Sequence, residues 1–374
     1  RVKTSTASDP LSPAGAVVSS SDTYNLYLSS PGLNANTTYY FKAAAVNNND
    51  IITAYTASQG TSTLANAPVF QDFTNVTAGA IQFNWSANGN PAGTLYRVKT
   101  STASDPLDPA GAVVTSSDTY NLYLSSTGLA ANTTHYFSVA GINNNSVITA
   151  YTTAQGTSTL VANAPVFDNF TGVTAGAIQF NWSANGNPAG TLYRVKTSTA
   201  PDPLSPAGAV VTSSNTYNLY LSSAGLNANT TYYFRVAGIN HNDVATAYTA
   251  SQGTSTLANI PLTAVSTFSA VTATGFTAAW NNNSNAPATL YTAQVSTAAD
   301  FNAGAADQAT ASTAPVDGYS YTFSGLTSFT TYYFRVKAVN RNGISTNYAE
   351  LGSTRTLHLP APVFGAVIGV STYS

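Results

Sequence analysis

Apolar and polar residues alternate in short runs along the whole chain. In Ile81-Gln82-Phe83-Asn84-Trp85 the large side chains fall on one parity and the amides on the other. The pattern returns at Ile178, Phe180 and Trp182, and again at Phe276, Ala278 and Trp280. Successive side chains of an extended strand point to opposite faces, so a period of two predicts half-buried antiparallel strands. Tyr96-Arg97-Val98-Lys99 continues it, with Tyr96 and Val98 inward and the cations outward. A Pro-rich loop from Ser104 to Pro109 comes next, then a short strand near Ala112 to Thr115. Further strands are expected at Tyr120 to Ser125, Tyr136 to Asn143 and Ile148 to Thr159. No stretch carries a helical period. About seven short strands between turn signals predict an all-β sandwich of two antiparallel sheets.

The pattern is also copied. Arg1-Val2-Lys3-Thr4-Ser5-Thr6-Ala7 recurs as Arg97 to Ala103 and as Arg194 to Ala200, with a looser copy at Tyr291 to Ala298. A period of about 96 residues is too long for a solenoid unit and suits a complete small domain. Pro-bearing apolar segments recur at Asn66 to Phe70, Asn163 to Phe167, Asn259 to Pro261 and Pro360 to Phe364. Proline before a strand suits an edge or a joint, where no ladder donor is lost. These points divide the chain into a partial module (1–66), modules at 67–163, 164–259 and 260–359, and a segment 360–374. The first module opens where its neighbours have their third strand, and the last segment supplies only a first strand. The expectation is a segment of a longer array. The alternative is a head-to-tail joint in which the tail of one copy completes the opening module of the next.

The segment Leu226-Asn227-Ala228-Asn229-Thr230-Thr231-Tyr232-Tyr233-Phe234-Arg235-Val236 resembles the E–F corner and strand F of fibronectin type III modules. Tyr232, six residues after Leu226, matches that family's tyrosine corner, and Leu33/Tyr39 and Leu326/Tyr332 repeat the spacing. Trp85, Trp182 and Trp280 stand where the family buries its strand B tryptophan, and Tyr96, Tyr193 and Tyr291 match its strand C tyrosine. The resemblance implies tandem immunoglobulin-like sandwiches and says little about function. One module departs from it: His135 holds the corner position, either as a tolerated substitution or as a pH-sensitive joint.

Composition narrows the function classes. Only 7% of residues are charged and the net charge is −2, which argues against a nucleic-acid partner. Absence of cysteine removes disulfides, thiolate metal sites and cysteine nucleophiles. Apolar runs such as Ala14 to Val18 are far too short to insert in a membrane. The histidines His135, His241 and His358 fall in different modules at non-equivalent places, and Glu350 is the single glutamate. Neither a converging metal set nor a paired acid and base is expected, so no catalytic, cofactor or metal residues are assigned.

Three candidate surfaces remain. Ten of the twelve cations fall on strands C and F, among them Arg97, Lys99, Arg194, Lys196, Arg235, Arg335 and Lys337, with Tyr233 and Tyr333 beside them. With the aspartates in loops, each module reads as basic on one face and acidic in its connections. That is either a solvated face with Tyr stacked on Arg or Lys, or a surface for other copies of the chain or for acidic glycans. The Asn-rich tips at Asn47 to Asp50, Asn143 to Ser146, Asn240 to Asp243 and Asn340 to Gly343 read as tight hairpin turns, with contact to the next module as a further reading. Nine Asn-X-Ser/Thr matches occur, of which Asn36, Asn84, Asn132, Asn181 and Asn229 are candidate glycosylation sites. The expected role is structural: a stalk, fibre or filament on or outside a bacterial cell, made with other copies of itself. The alternative is a glycan-binding adhesin or the spacer of a secreted polysaccharide-degrading enzyme, with divergent module four (Ala303 to Val316) as the place for a ligand.

Overall fold

The computed structural model describes residues 1–11, 17–108, 113–204, 210–301, 309–312, 319–361, Gly365 and Gly369. Residues 360–374 and 303–316, invoked above for the tail and for a ligand, therefore lie largely outside the described residues. Every regular element among the described residues is a strand. The first module contributes β1 (Val2–Ser5), β2 (Val17–Ser21), β3 (Thr38–Ala43) and β4 (Gln59–Ser62), joined in one sheet in the order β2-β1-β3-β4. The second contains β5 (Val69–Thr74), β6 (Ala80–Ser86), β7 (Leu95–Ser101), β8 (Val113–Thr119), β9 (Tyr123–Thr127), β10 (Thr134–Ile142) and β11 (Gln155–Ser158). These form a three-stranded sheet, β5-β6-β9, and a four-stranded sheet, β11-β10-β7-β8.

The third module repeats this plan with β12 (Val166–Thr171), β13 (Ala177–Ser183), β14 (Leu192–Ser198), β15 (Val210–Thr216), β16 (Tyr220–Ala224), β17 (Thr231–Ile239) and β18 (Gln252–Ser255). The fourth does so with β19 (Leu262–Ser269), β20 (Gly275–Asn281), β21 (Leu290–Ser296), β22 (Ala309–Ser312), β23 (Ser320–Ser324), β24 (Thr331–Val339) and β25 (Ala349–Arg355). All pairings recorded are antiparallel.

The parity pattern places the cores. On β6 the buried positions are Ile81, Phe83 and Trp85, each solvent-free, and they meet Tyr96, Val98, Phe137 and Val139 from the opposite sheet. Phe83 stacks on Phe137 at 5.3 Å, and the Trp85 ring meets Tyr96 edge-on at 5.7 Å. Each such ring contributes about 1.5–3 kcal/mol by leaving water. Ile178, Phe180 and Trp182 build the same core in the third module, and Phe276, Ala278 and Trp280 in the fourth.

Two strand expectations are corrected. Tyr120 lies in a turn rather than a strand, and β9 runs from Tyr123 to Thr127. The stretch from Ile148 to Thr159 is regular only over Gln155–Ser158. Before it, Ile148 makes an isolated bridge to Ile142, and threonine hydroxyls replace carbonyls in the ladder. Thr149 Oγ1 accepts from the Gly141 amide at 3.0 Å and Thr152 Oγ1 from the Val139 amide at 3.1 Å. A local side-chain acceptor competes with regular pairing, and alternation of residue types does not reveal it.

The described chain packs as two compact units. One is Arg1–Ala164 with Asn185–Leu192 and Gly238–Ala247; the other is Pro165–Ala184, Tyr193–Ala237 and Tyr248–Ser374.

Candidate functional site: the joints between modules

The Asn-rich tips turn back rather than forward. In the second module Asn143 Oδ1 accepts from the amides of Asn145 (3.1 Å) and Val147 (2.8 Å), closing the tip as an Asx turn. With the tip fixed, its outer groups reach the module before it. Asn143 Nδ2 donates to the Thr63 carbonyl at 3.0 Å and Asn145 Nδ2 to Thr61 Oγ1 at 3.0 Å. The Asn144 amide donates to Asn36 Oδ1 at 2.9 Å, while Asn36 Nδ2 donates to Thr94 Oγ1 at 2.9 Å. The tip is the tight turn expected, and its contact is with the module before it rather than the next one.

Asn36 has φ 45°, a left-handed backbone that asparagine tolerates better than most residues. That geometry turns its amide into the joint. A second clasp holds the linker: Asn90 Oδ1 accepts from the Asn66 amide at 2.7 Å, and Asn90 Nδ2 returns a bond to the Asn66 carbonyl at 2.8 Å. Gly141 lets the linker in, since a β-carbon there would sit 3.1 Å from the Asn66 carbonyl oxygen.

The same residues recur in the rest of that unit. Asn132 Nδ2 reaches Thr191 Oγ1 at 3.3 Å, Asn240 Nδ2 the Thr159 carbonyl at 3.3 Å, and Asn242 Nδ2 Thr157 Oγ1 at 2.8 Å. Asn187 and Asn163 repeat the linker clasp at 2.7 and 3.0 Å. Here His241 holds the position of Asn144, and Asn132 Oδ1 is buried without a hydrogen-bond partner. In the other unit Asn229 Nδ2 donates to Thr289 Oγ1 at 2.7 Å, and Asn340 Nδ2 to the Thr256 carbonyl at 3.1 Å. Arg341 takes the tip position. Its amide donates to Asn229 Oδ1 at 2.7 Å, and its guanidinium spans the Asn229 and Pro287 carbonyls.

Three of the glycosylation candidates are absorbed by this arrangement. Asn36, Asn132 and Asn229 are at most 7% exposed, and the Nδ2 that a sugar would need is bonded inside a joint. Asn84 and Asn181 are half-buried on the outer face of the three-stranded sheet, where Nδ2 donates to Asp72 and Thr74, or to Asn169 and Thr171. The Asn-X-Thr signal thus coincides with a packing motif.

The cationic face is also altered. Its side chains do alternate outward, but acids on the neighbouring strand and in loops meet them. Arg97 grips Asp118 through two bonds of 2.7 Å, Lys42 pairs with Asp9 at 2.9 Å and Arg235 with Asp202 at 3.2 Å. Arg194 donates instead to Asn215 at 3.0 Å. The hydrogen bond from Arg97 pulls the Asp118 carboxyl below its usual range. Bonding to the Leu11 amide first, and then to Lys42, does the same for Asp9. The separation into a basic face and acidic connections is therefore neutralised within modules. Tyr40, Tyr136 and Tyr233 do not stack on these cations; their rings cover glycines across the ladder, Gly60, Gly156 and Gly253. In the fourth module Tyr333 lies opposite Ser353. There Arg335 lies between the rings of Phe301 and Tyr348, 4.1 Å from each, and Lys337 stands over Tyr348. Lys99 and Lys196 occupy outward, half-exposed positions on β7 and β14.

The tyrosine corner is present in three modules: Tyr39, Tyr232 and Tyr332 hydroxyls accept from the amides of Asn34, Asn227 and Thr327 at 2.9–3.0 Å. His135 is buried in the same place with neither ring nitrogen in good hydrogen-bond geometry, and burial lowers its pKa. His358 stacks on Phe329 at 3.4 Å, so the histidines serve three unrelated local roles.

Residues 263–352 match the fibronectin type III domain. The match covers the fourth module, whose strand order the second and third modules share. Similar solved structures include a two-domain fibronectin type III segment of chicken tenascin. It is 14% identical, with TM-score 0.33, over 51% of this chain and 100% of that one. The FN1–FN3 domains of chicken CNTN1 are also 14% identical, with TM-score 0.24, over 78% of this chain and 100% of that one. No curated protein matches the sequence. Among the described residues the chain is all-β, a tandem of antiparallel sandwiches, and its fourth module matches the fibronectin type III domain. No helix among the described residues is long and apolar enough to cross a membrane.

Proposed function

We propose that this chain is a non-enzymatic structural repeat protein, part of a stalk, fibre or filament on or outside a bacterial cell. The observation that supports this most is the recurrence of one joint chemistry wherever two modules meet. Linkers that let domains swing freely leave backbone and side chains solvated. Here the linker asparagines Asn66, Asn163 and Asn259 are clasped by Asn90, Asn187 and Asn285, and the tips add further bonds. Each bond is worth only about 0.5–1.5 kcal/mol, but several act together against one hinge. A spacer that must transmit position or force needs that property.

Asn36→Gly, Asn132→Gly and Asn229→Gly together test it. Glycine keeps the left-handed backbone, so the modules stay folded while the joint amides are lost. Spin-label distances across the first two modules are expected to be narrow in the native protein and clearly broader in the triple variant. A native distribution as broad as that of a Gly/Ser linker would overturn the reading.

The rival reading is a glycan-binding adhesin or enzyme spacer. It draws on the fourth module, where Phe329 replaces the joint asparagine and lies against Arg355 and His358. Saturable binding of this protein to a glycan array, lost on Phe329→Ala, would favour it.

A further inference from the structure

Each complete module has four sheet edges, and in the second module three of them carry devices that discourage pairing with another chain. The β5 edge follows Pro68, contains Asp72 and has a register shift between Phe70 and Asp72. The β8 edge carries the Arg97–Asp118 pair and lies opposite a register shift at Thr100/Ser101. The β11 edge is four residues long. Charges, prolines, bulges and shortness are the means by which folded sheets protect their rims.

The fourth edge, β9, is five residues long and carries no charge, proline or bulge. Its sequence Tyr-Leu-Ser-Ser-Thr and the Tyr120-Asn121-Leu122 link before it contain no charge and no proline, and the β6–β9 register is unbroken. The Leu122 carbonyl accepts from the Trp85 amide. A strand residue aims its amide and carbonyl to the same side and its neighbours aim theirs to the other. The backbone groups of Tyr123, Ser125 and Thr127 therefore face outward. Large side chains crowd the same rim: Tyr120 is 68% exposed, with Leu122 and Tyr123 above 40%. In the third module Pro165, Asp168 and a register shift again protect β12. There β16 repeats the bare rim with Tyr217, Leu219 and Tyr220 at near-identical exposure. Scattered exposed apolar residues need no explanation, but three large exposed side chains within four residues of an unpaired edge call for one.

We propose that these bare edges, Tyr120–Thr127 and Tyr217–Ala224, dock a second copy of this chain, edge strand against edge strand in antiparallel pairing. The proposal rests on the structural reading above and supplies its lateral contact. A second copy fits for three reasons. An antiparallel edge is its own complement, so one surface serves both partners in an isologous contact. The rim is uncharged, and a chain of net charge −2 meets its own copy with little repulsion. A copy of this chain also offers the bare edge in two modules, so every chain has more than one such edge to pair. The fourth module has Ser320 where the third has Tyr220, and it contributes less.

The test uses the whole chain in sedimentation velocity over a concentration series, with circular dichroism to check folding. The native protein is expected to associate. Leu122→Lys with Leu219→Lys places like charges across each contact, and is expected to weaken association about tenfold or more. Tyr120→Ser with Tyr217→Ser, a milder change at exposed positions, is expected to weaken it in the same direction. Lys99→Glu with Lys196→Glu, on the cationic face, is expected to leave it unchanged. A native chain that stays monomeric, or association lost only in the cationic-face variant, overturns the proposal. So does saturable glycan binding in the hollow of about 320 Å³ beside Tyr120 and Leu122, lined by Asn90, Pro91 and Thr94, in place of association. Spin-label distances across the first joint separate the two readings: narrow distances without association refute the lateral contact alone.

Discussion

His135 shows how much one corner position costs. A tyrosine there accepts the amide five residues earlier and keeps its ring in the core; the imidazole is buried with no well-formed bond. His135→Tyr is expected to stabilise the second module by about 1 kcal/mol, read as a higher denaturant midpoint. The pH dependence follows from the lowered pKa. Below about pH 6.5 the unfolded chain takes up a proton that the buried ring resists, so stability falls as pH falls through that value. Unfolding curves at pH 7.5 and 5.5 should differ more for the native chain than for the tyrosine variant. Equal differences would show that His135 carries no such linkage.

Glycine opposite tyrosine is the corresponding device on the strands. At Gly156 a β-carbon would lie 2.6 Å from Tyr136 Cε1, so the ring rests on bare backbone. Gly156→Ala should destabilise the native module by displacing the ring. In a Tyr136→Ala background it should stabilise by about 0.4–1 kcal/mol, the usual gain from stiffening the unfolded chain. A double-mutant cycle by urea unfolding checks the reversal of sign. Ser353 opposite Tyr333 shows that the fourth module has given up the close contact.

Across the molecule, neutral amides carry much of the work that charges often do. Cross-module bonds at the first joint come from Asn36, Asn143, Asn144 and Asn145 to carbonyls, hydroxyls and amides. Screening acts on charges and leaves such bonds nearly untouched. Spin-label distances across the first two modules should therefore agree in low salt and in about 1 M salt, where the Debye length is near 3 Å. A clear broadening at high salt would mean that ion pairs hold the joint.

The alternation of residue types by itself determined the buried rows on β6, β13 and β20, because burial of every second side chain is a local constraint. It also placed Arg97, Lys99, Arg194 and Lys196 outward. Only the tertiary structure decided what those positions meet. Asp118 lies 21 residues from Arg97, and Asn144 is 108 residues from Asn36. Nothing in either local sequence names its partner. One signal was present: Asn-Thr-Thr recurs at Asn36, Asn132 and Asn229 and becomes Phe-Thr-Thr at Phe329. Read locally it is a glycosylation signal; its role as a joint emerges only when folding brings Thr94, Thr191 and Thr289 within reach, because hydrogen bonds depend on distance in space and not along the chain.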